Sequence, residues 1–127
     1  MHENEQLMER AKKASEYSYS PYSKFRVGAA LRCKDGKIFT GTNVENASYG
    51  MTMCAERVAI FKAISEGCNT FTDIAIVSDS KKLTFPCGAC RQVMLEFNPD
   101  LLIHLDGESF LLADLLPHGF AKTALSE

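Results

Sequence analysis

The chain has 127 residues, 46% of them hydrophobic, and its 14 lysines and arginines against 16 aspartates and glutamates give a formal net charge of −2. This apolar content is enough for one core, so we expect a single domain over residues 1–127. A slightly acidic chain does not favour a nucleic-acid partner, which normally needs a basic face. No apolar run approaches the roughly 20 residues that span a bilayer, and the polar residues 1–6 are unlike a signal peptide, so we expect a cytoplasmic protein.

A helix and a β-hairpin are predicted in the first third of the chain. Leu7, Ala11 and Ala14 recur at helical spacing with charges between them, which predicts an amphipathic helix. The Asp35-Gly36 pair is a hairpin signal between two apolar runs. The predicted elements are a helix over residues 3–18, strands over 25–33 and 38–44, and a loop over 45–53.

The remainder of the chain alternates helices and strands. Apolar residues surround the segment 54–66 almost completely, which is typical of a buried helix. Residues 73–79 form a short apolar run, typical of a strand that is buried on both faces. The other predicted elements are a helix over residues 87–98, strands over 101–105 and 109–112, and a short helical turn up to residue 117. This alternation predicts an α/β domain with helices on both faces of one sheet.

The most informative motif combines Cys54-Ala55-Glu56 with Pro86-Cys87-Gly88-Ala89-Cys90. Thiolates are ligands that zinc prefers, and a catalytic zinc site keeps three protein ligands and leaves its fourth position to water. A carboxylate two residues after the first ligand can lie beside the metal without binding it. We therefore predict one Zn²⁺ per chain, bound by Cys54, Cys87 and Cys90, with Glu56 as the proton carrier of a hydrolytic reaction.

The helix positions of these residues bear on their chemistry. Both cysteine clusters are predicted at helix N-termini, where the dipole and free N–H groups stabilise anions and lower thiol pKa values. Three thiolates would make a zinc-bound water less acidic, and Arg57 can offset this by donating hydrogen bonds to a ligand sulfur. The same role for Arg91 stays open. Alternatively, the arginines are surface charges and Glu56 only favours the helix dipole.

The other cysteines and the histidines have no predicted role. Cys33 and Cys68 lie outside the motif and are expected to be isolated apolar side chains, because cytosolic thiols stay reduced. The three histidines lack ligand spacing and are expected to be structural or solvated. The pair Cys87-x-x-Cys90 alone would also fit a redox site, but a redox pair has no use for a third cysteine followed by a carboxylate.

With these residues in view, the chain resembles the small, homotetrameric type of zinc-dependent cytidine deaminases. The resemblance extends over nearly the whole chain. It includes the segments 21–25 and 41–49, the two cysteine motifs and Leu115-Leu116-Pro117. The resemblance implies a three-layer α/β/α fold with a five-stranded mixed sheet and helices on both faces. It also implies hydrolytic deamination of cytidine and 2′-deoxycytidine to uridine and 2′-deoxyuridine with release of ammonia, by zinc-activated water with Glu56 as proton shuttle, in pyrimidine salvage.

The same resemblance assigns substrate-binding roles. Asn43 and Glu45 would hold the ribose hydroxyls, Phe25 would pack against the pyrimidine, and backbone groups around Ala55 would contact the base edge. Phe120 would enter the pocket of a neighbouring subunit, so that a homotetramer shares its active sites. The alternative is that Phe120 folds back onto its own core.

Other functions remain as alternatives. A tRNA-editing deaminase would need a basic docking face, and a deoxycytidylate deaminase would need phosphate donors. Blasticidin deaminases share the cysteine motif, although Asn43-x-Glu45 fits a ribose better. A zinc-stabilised binding module without enzymatic activity is the alternative from a different class. Turnover of cytidine would distinguish these possibilities.

Overall fold

The computed structural model describes residues 2–80 and 84–125. Its helices are α1 (His2–Ser15), α2 (Ala55–Ser65), α3 (Gly88–Phe97) and α4 (Leu112–Leu115), and its strands are β1 (Val27–Cys33), β2 (Ile38–Thr42), β3 (Phe71–Ser78), β4 (Leu102–Leu105) and β5 (Glu108–Leu111). Short 3₁₀ turns are formed by Tyr49–Met51 and Lys122–Leu125. No helix in this described part of the chain has the length and apolar character needed to cross a membrane.

The five strands form one mixed sheet in the order β2-β1-β3-β4-β5. Strand β1 is antiparallel to both β2 and β3, and β4 is antiparallel to β5. Strands β3 and β4 are parallel, as expected for two strands connected through a helix, here α3. The mixed sheet confirms the fold that the resemblance implied.

Helices cover both faces of the sheet, because its residues alternate between two apolar clusters. On one face, Leu7 and Ala11 of α1 pack against Ala30 and Ala75. On the other face, α2 and α3 pack against the strands in the main core. The predicted three-layer α/β/α architecture is therefore confirmed.

Two glycines allow the helices to approach the sheet closely. A Cβ atom at Gly28 would lie 1.9 Å from the carbonyl oxygen of Ala11 in α1. A Cβ atom at Gly41 would lie 2.4 Å from the carbonyl oxygen of Ala55. Any side chain at Gly41 would push away the first turn of α2, so this glycine fixes the helix end on which Glu56 lies.

The outer side of α2 differs from the prediction of a helix buried all round. Ala55, Ala59, Ile60 and Ala63 are fully buried, whereas Phe61 is 45% exposed. Alanines on the inner side let the helix lie close to the sheet, and one sheet cannot cover the opposite side of the same helix.

The expectation that Cys33 and Cys68 are isolated is wrong. The two residues form a disulfide between the end of β1 and the turn after α2, with their Cα atoms 6.7 Å apart. Antiparallel pairing brings Cys33 beside Phe71, at the start of β3. This long-range proximity depends on sheet topology, which the spacing of the cysteines in the sequence does not contain.

A buried polar network lies on the α1 face of the sheet. The Asp73 carboxylate accepts hydrogen bonds from Arg32 (3.2 Å), His104 (2.9 Å) and Thr72 (2.7 Å). The other ring nitrogen of His104 lies 2.7 Å from the hydroxyl of Ser109. His104 is thus a structural residue, in agreement with the sequence analysis.

Candidate active site

Three free cysteines come together where α2 and α3 begin. Cys54 is the N-cap residue of α2, Cys87 is the N-cap residue of α3, and Cys90 lies in the first turn of α3. The Sγ atoms of Cys54 and Cys87 are 3.8 Å apart, and those of Cys87 and Cys90 are 3.4 Å apart. All three sulfurs lie within 4.8 Å of one another. Residues distant in sequence thus form a cluster suited to one metal ion.

The geometry of this cluster fits zinc. Zn–S bonds of about 2.3 Å in tetrahedral geometry place two sulfurs about 3.8 Å apart. The observed separations are close to this value, and the three thiols have the chemistry of a zinc ligand set. Three sulfurs leave one position of a tetrahedron free, which is the arrangement of a catalytic site.

The cysteine cluster holds negative charge even without a cation. Hydrogen bonding from the Cys90 thiol, together with the guanidinium of Arg57, lowers the pKa of Cys54 to about 5. The pKa of Cys90 is raised, because its thiol proton is held in the hydrogen bond to Cys54 and its sulfur is buried. At neutral pH a thiolate is therefore present at the position where a metal ligand is needed.

Glu56 is a buried acid in the first turn of α2. The residue is only 5% exposed, and this burial, aided by the negative charge of Cys54, raises the pKa of Glu56 to about 7. A carboxyl group with a pKa close to neutral pH can both accept and donate a proton during turnover. This property fits the role of proton carrier predicted from the sequence.

The two candidate arginines have different partners. Arg57 donates from Nη2 to the Sγ atom of Cys54 at 3.5 Å, and this contact raises the arginine pKa. Its Nε atom is the one buried side-chain polar atom without a hydrogen-bond partner in residues 2–80 and 84–125. Arg91 instead donates to the carbonyl oxygens of Pro86 (2.7 Å) and Leu115 (2.6 Å). Arg57 thus contacts a ligand sulfur, whereas Arg91 connects the segment before α3 to α4.

Asn43 is held by its own chain. Its side-chain amide donates to the carbonyl oxygen of Phe25 at 2.8 Å, and its Oδ1 atom accepts from the Val27 amide at 3.0 Å and from the Ser18 hydroxyl. These contacts use both acceptor positions of Oδ1 and leave one N–H of the amide free. Toward a ribose hydroxyl, Asn43 can therefore act as a single donor.

Glu45 lies at the edge of an open cavity. Its Oε1 atom accepts from the backbone amides of Tyr22 (3.0 Å) and Ser23 (3.1 Å), and its Oε2 atom accepts from the Ser23 hydroxyl. The hydrogen bond from the Ser23 side chain is the main cause of the lowered pKa of Glu45. A cavity of about 370 Å³ is bordered by Tyr22, Ser23, Glu45, Tyr49 and Thr52. Glu45 is thus a fixed carboxylate that can accept further hydrogen bonds from a polar ligand.

Phe25 and Ala55 connect the site to the core. Phe25 is partly buried and packs against the main core, which contains Cys90 and against which Cys54 also packs. Ala55 is fully buried as the first residue of α2. Both residues thus lie in or against the same core that carries the cysteine cluster.

Phe120 is fixed in its backbone but exposed in its ring. Gln92 of α3 donates to the Phe120 carbonyl oxygen at 2.7 Å and accepts from the Phe120 amide at 3.3 Å. The residue is nevertheless 61% exposed. Within this chain the ring does not fold back onto the core, which was the alternative left open by the sequence.

Two positioning residues escaped the sequence analysis. Ser23 holds the Glu45 carboxylate, and Gln92 holds the Phe120 backbone. Ser23 is 22 positions from Glu45 in the sequence, and Gln92 is 28 positions from Phe120. Neither spacing is distinctive. Only the folded chain brings each pair together.

Comparison with known proteins places this site in a described family. The family profile "Cytidine and deoxycytidylate deaminase zinc-binding region" matches residues 1–105. A cytidine deaminase of Sporosarcina psychrophila is 50% identical, with 96% of this chain and 94% of the relative covered. One of Halalkalibacterium halodurans is 46% identical, with 98% and 99% covered.

Solved structures agree with the sequence comparisons. The crystal structure of a cytidine deaminase from Burkholderia pseudomallei superposes with a TM-score of 0.87 at 48% identity, with 91% of this chain and 98% of the other covered. That of Mycobacterium tuberculosis superposes with a TM-score of 0.86 at 42% identity, with 91% and 95% covered.

Proposed function

Because the chain belongs to the family of cytidine and deoxycytidylate deaminases, we propose that it hydrolyses cytidine and 2′-deoxycytidine to uridine and 2′-deoxyuridine with release of ammonia. The observation that carries this proposal is the buried Glu56, which lies two residues after Cys54, a member of a three-cysteine cluster that fits zinc. Residues 1–127 would serve as one deaminase domain in pyrimidine salvage. A cytoplasmic location remains a prediction from the sequence.

The zinc site is assigned to Cys54, Cys87 and Cys90. When bound, zinc supplies Lewis-acid activation of water at neutral pH. The Arg57 guanidinium donates to the Cys54 sulfur and withdraws negative charge from the ligand set. The cysteine cluster and Arg57 together hold the ion with less excess charge than three free thiolates would.

Glu56 moves the protons of the reaction. Its carboxylate accepts one proton from the attacking water and passes it to N3 of the pyrimidine. It then accepts the second proton from the hydroxyl added at C4 and delivers it to the departing amino group, so that uridine and ammonia are formed. A pKa of about 7 lets Glu56 exchange protons in both directions near neutral pH. General acid–base catalysis of this kind contributes about 10²–10⁴-fold to the rate.

The nucleoside would be held by groups of this same chain. Glu45 accepts from a ribose hydroxyl, and the free N–H of the Asn43 amide donates to one. The ring of Phe25 packs against the pyrimidine, and the backbone around Ala55 contacts the base edge. The cavity beside Glu45 is open, and we infer that part of the pocket wall comes from a neighbouring subunit.

A homotetramer with shared active sites would supply this wall. Exposed aromatic rings on the described surface include those of Tyr22, Tyr49, Phe61 and Phe120. The ring centroids of Tyr22 and Tyr49 are 6.1 Å apart in an edge-to-face arrangement. Both residues border the cavity beside Glu45. Burial of such rings between copies of the chain would favour association. Phe120, exposed and held through its backbone by Gln92, is the residue proposed to reach a neighbouring pocket.

The test of the proposed function compares the wild-type protein with Glu56→Gln. Ultraviolet loss and ammonia release are followed with cytidine, 2′-deoxycytidine, deoxycytidylate and free cytosine. We expect turnover of the two nucleosides by the wild type and loss of nearly all turnover in Glu56→Gln, because a carboxamide does not transfer protons at neutral pH.

Zinc content and circular dichroism are the controls for this variant. Both should match the wild type, with one zinc per chain. Absence of turnover in zinc-loaded wild type, or near-normal kcat in Glu56→Gln, would contradict the proposal.

A further inference from the structure

The disulfide between Cys33 and Cys68 joins two residues that the proposed mechanism does not use. It links residues 35 positions apart, at the end of β1 and directly after Gly67 in the turn that follows α2. Cys33 is 1% exposed and belongs to the main core, whereas Cys68 is only partly buried. A reagent from solution can therefore reach the bond from the Cys68 side.

Cys68 lies in the wall of an open groove. This groove has a volume of about 320 Å³, and its charged lining residues are Lys34, Asp35, Lys37 and Glu66. The groove is large enough for part of a small peptide thiol, and its two ammonium groups and two carboxylates can pair with the carboxylates and the ammonium group of such a molecule. Thiol–disulfide exchange requires this kind of access to one sulfur.

We propose that Cys33 and Cys68 form a reversible thiol–disulfide site that exchanges with small peptide thiols through Cys68. In reduction, a thiolate attacks the Cys68 sulfur, a mixed disulfide forms, and Cys33 leaves as a thiolate that takes up a proton. A second thiol then attacks the external sulfur of the mixed disulfide and releases Cys68. Two thiols are oxidised to one small disulfide, and two cysteine thiols are formed. Oxidation is the reverse, with a small disulfide as the oxidant.

The crosslink should affect stability rather than chemistry. It fixes the C-terminal end of α2 to β1, while Cys54 and Glu56 lie at the other end of this 11-residue helix. At about 1.5 Å per residue, the two ends are about 16 Å apart. The turn keeps other contacts, including those from Cys68 N to Ala63 O (2.9 Å) and from Lys34 N to Thr70 O (2.8 Å). Reduction should therefore leave the folded site in place but restore freedom to the unfolded chain.

The test uses the zinc-loaded full chain, equilibrated in buffers of oxidised and reduced glutathione. After acid quenching and alkylation, mass spectrometry identifies the state of each cysteine. We expect a peptide pair linked through Cys33 and Cys68 under oxidising conditions, and both thiols alkylated under reducing conditions. In samples quenched early, before the exchange reaches equilibrium, the glutathione adduct should lie on Cys68 and not on Cys33.

Thermal unfolding measures the effect of the Cys33–Cys68 bond on the stability of the protein. The oxidised protein should melt at least about 5 °C above the reduced protein, with equal kcat and KM for cytidine at room temperature. In the matched variant Cys68→Ala, the midpoint should resemble that of the reduced wild type and no longer respond to the glutathione ratio. Cys33→Ala should behave in the same way, which controls for local effects of either substitution.

Several outcomes would overturn the proposal. Alkylation of both cysteines at every glutathione ratio would show that the pair does not form a bond. Equal midpoints of the linked and reduced forms would show that the bond does not act on the fold. Cys33, Asp35 and Cys68 also present ligand atoms within 4.8 Å of one another. A second zinc per chain that is lost in Cys68→Ala, without any linked peptide, would assign these residues to a metal site instead.

Discussion

The guanidinium of Arg57 donates a hydrogen bond to the sulfur of Cys54, the residue that caps the same helix, at 3.5 Å. Arg57 is three positions after Cys54 in the sequence, so the first turn of α2 places the cation directly beside the predicted metal ligand. Arg91 directly follows Cys90 in the first turn of α3 but donates to two carbonyl oxygens instead. We therefore expect different effects when each of the two arginines is replaced.

Replacing Arg57 by Ala should weaken the metal site while the fold persists. Removing a group that hydrogen-bonds a metal ligand typically costs about 10–100-fold in metal affinity or activity. We expect a loss of this size in kcat for cytidine, together with faster zinc loss to a chelator.

Two variants serve as controls for this prediction. Lys62→Ala removes an exposed cation from the last turn of the same helix and should leave both measurements unchanged. Arg91→Ala should lower the unfolding midpoint, because it breaks contacts to Pro86 and Leu115. If Arg57→Ala kept wild-type zinc retention and kcat, the sulfur contact would have no role in tuning the metal.

Replacing Glu45 by Ala should impair nucleosides more than free bases. If this carboxylate accepts a hydrogen bond from a ribose hydroxyl, its loss should lower kcat/KM for cytidine by about 10–100-fold, the size of one hydrogen bond to a charged group. Turnover of free cytosine, which has no ribose, should fall much less.

Ser23→Ala provides a graded control for Glu45. It removes the hydroxyl that donates to the carboxylate but leaves the two backbone donors. It should give a smaller loss than Glu45→Ala with the same selectivity. Equal losses for cytidine and cytosine in both variants would mean that Glu45 only shapes the loop around residues 22–23.

The metal ligands could be predicted from the sequence because their chemistry is local. Two residues separate Cys87 from Cys90, and one residue separates Cys54 from Glu56. Within each pair, a single helical turn therefore sets the relative positions of the side chains. The helices and strands were also predictable, to within a few residues, from the periodicity of apolar side chains.

Long-range pairs were not predictable in this way. The bonds from Ser23 to Glu45, from Gln92 to Phe120 and from Cys33 to Cys68 depend on the order of strands in the sheet and on the path of loops. Residues of common types at unremarkable spacings give no signal in one sequence. The internal bonds of Asn43 belong to the same class, since they are made with residues 16 to 25 positions away.

Asp73 should make the stability of the protein depend on pH in the acid range. Burial alone would raise its pKa, but hydrogen bonds from His104 and Thr72 and the charge of Arg32 lower it below the ordinary value. A carboxyl whose pKa is lower in the folded state stabilises the fold above its unfolded pKa of about 3.9. This stabilisation is lost as the pH falls through the folded pKa.

The variant Asp73→Asn tests this dependence. At neutral pH it should lower the free energy of unfolding by about 2–4 kcal/mol, because it removes a buried, hydrogen-bonded charge. The difference from the wild type should shrink as the pH falls below about 4. Urea denaturation at several pH values measures this difference in the free energy of unfolding. The substitution Asp100→Asn, at an exposed aspartate, is the control. A difference that does not change with pH would show that the charge of Asp73 is not the cause.

The exposed ring of Phe120 predicts that active sites are completed between subunits. Chains with Glu56→Gln lack the proton carrier but keep Phe120, and chains with Phe120→Ala have the opposite defect. In a mixed tetramer, an intact Glu56 of one chain can meet an intact Phe120 of its neighbour. After subunit exchange, activity toward cytidine should therefore rise above that of either parent, because every homogeneous tetramer lacks one of the two groups at each site.

The control for this experiment mixes Phe120→Ala chains with chains that carry both substitutions. Such tetramers contain no Phe120 at all, so exchange should give no gain although the dilution of sites is the same. Native mass spectrometry of both mixtures verifies that mixed tetramers form. A gain only in the first mixture requires that the aromatic ring act across a subunit boundary. If both mixtures stay at the level of their parents despite complete exchange, Phe120 contributes within its own chain or not at all.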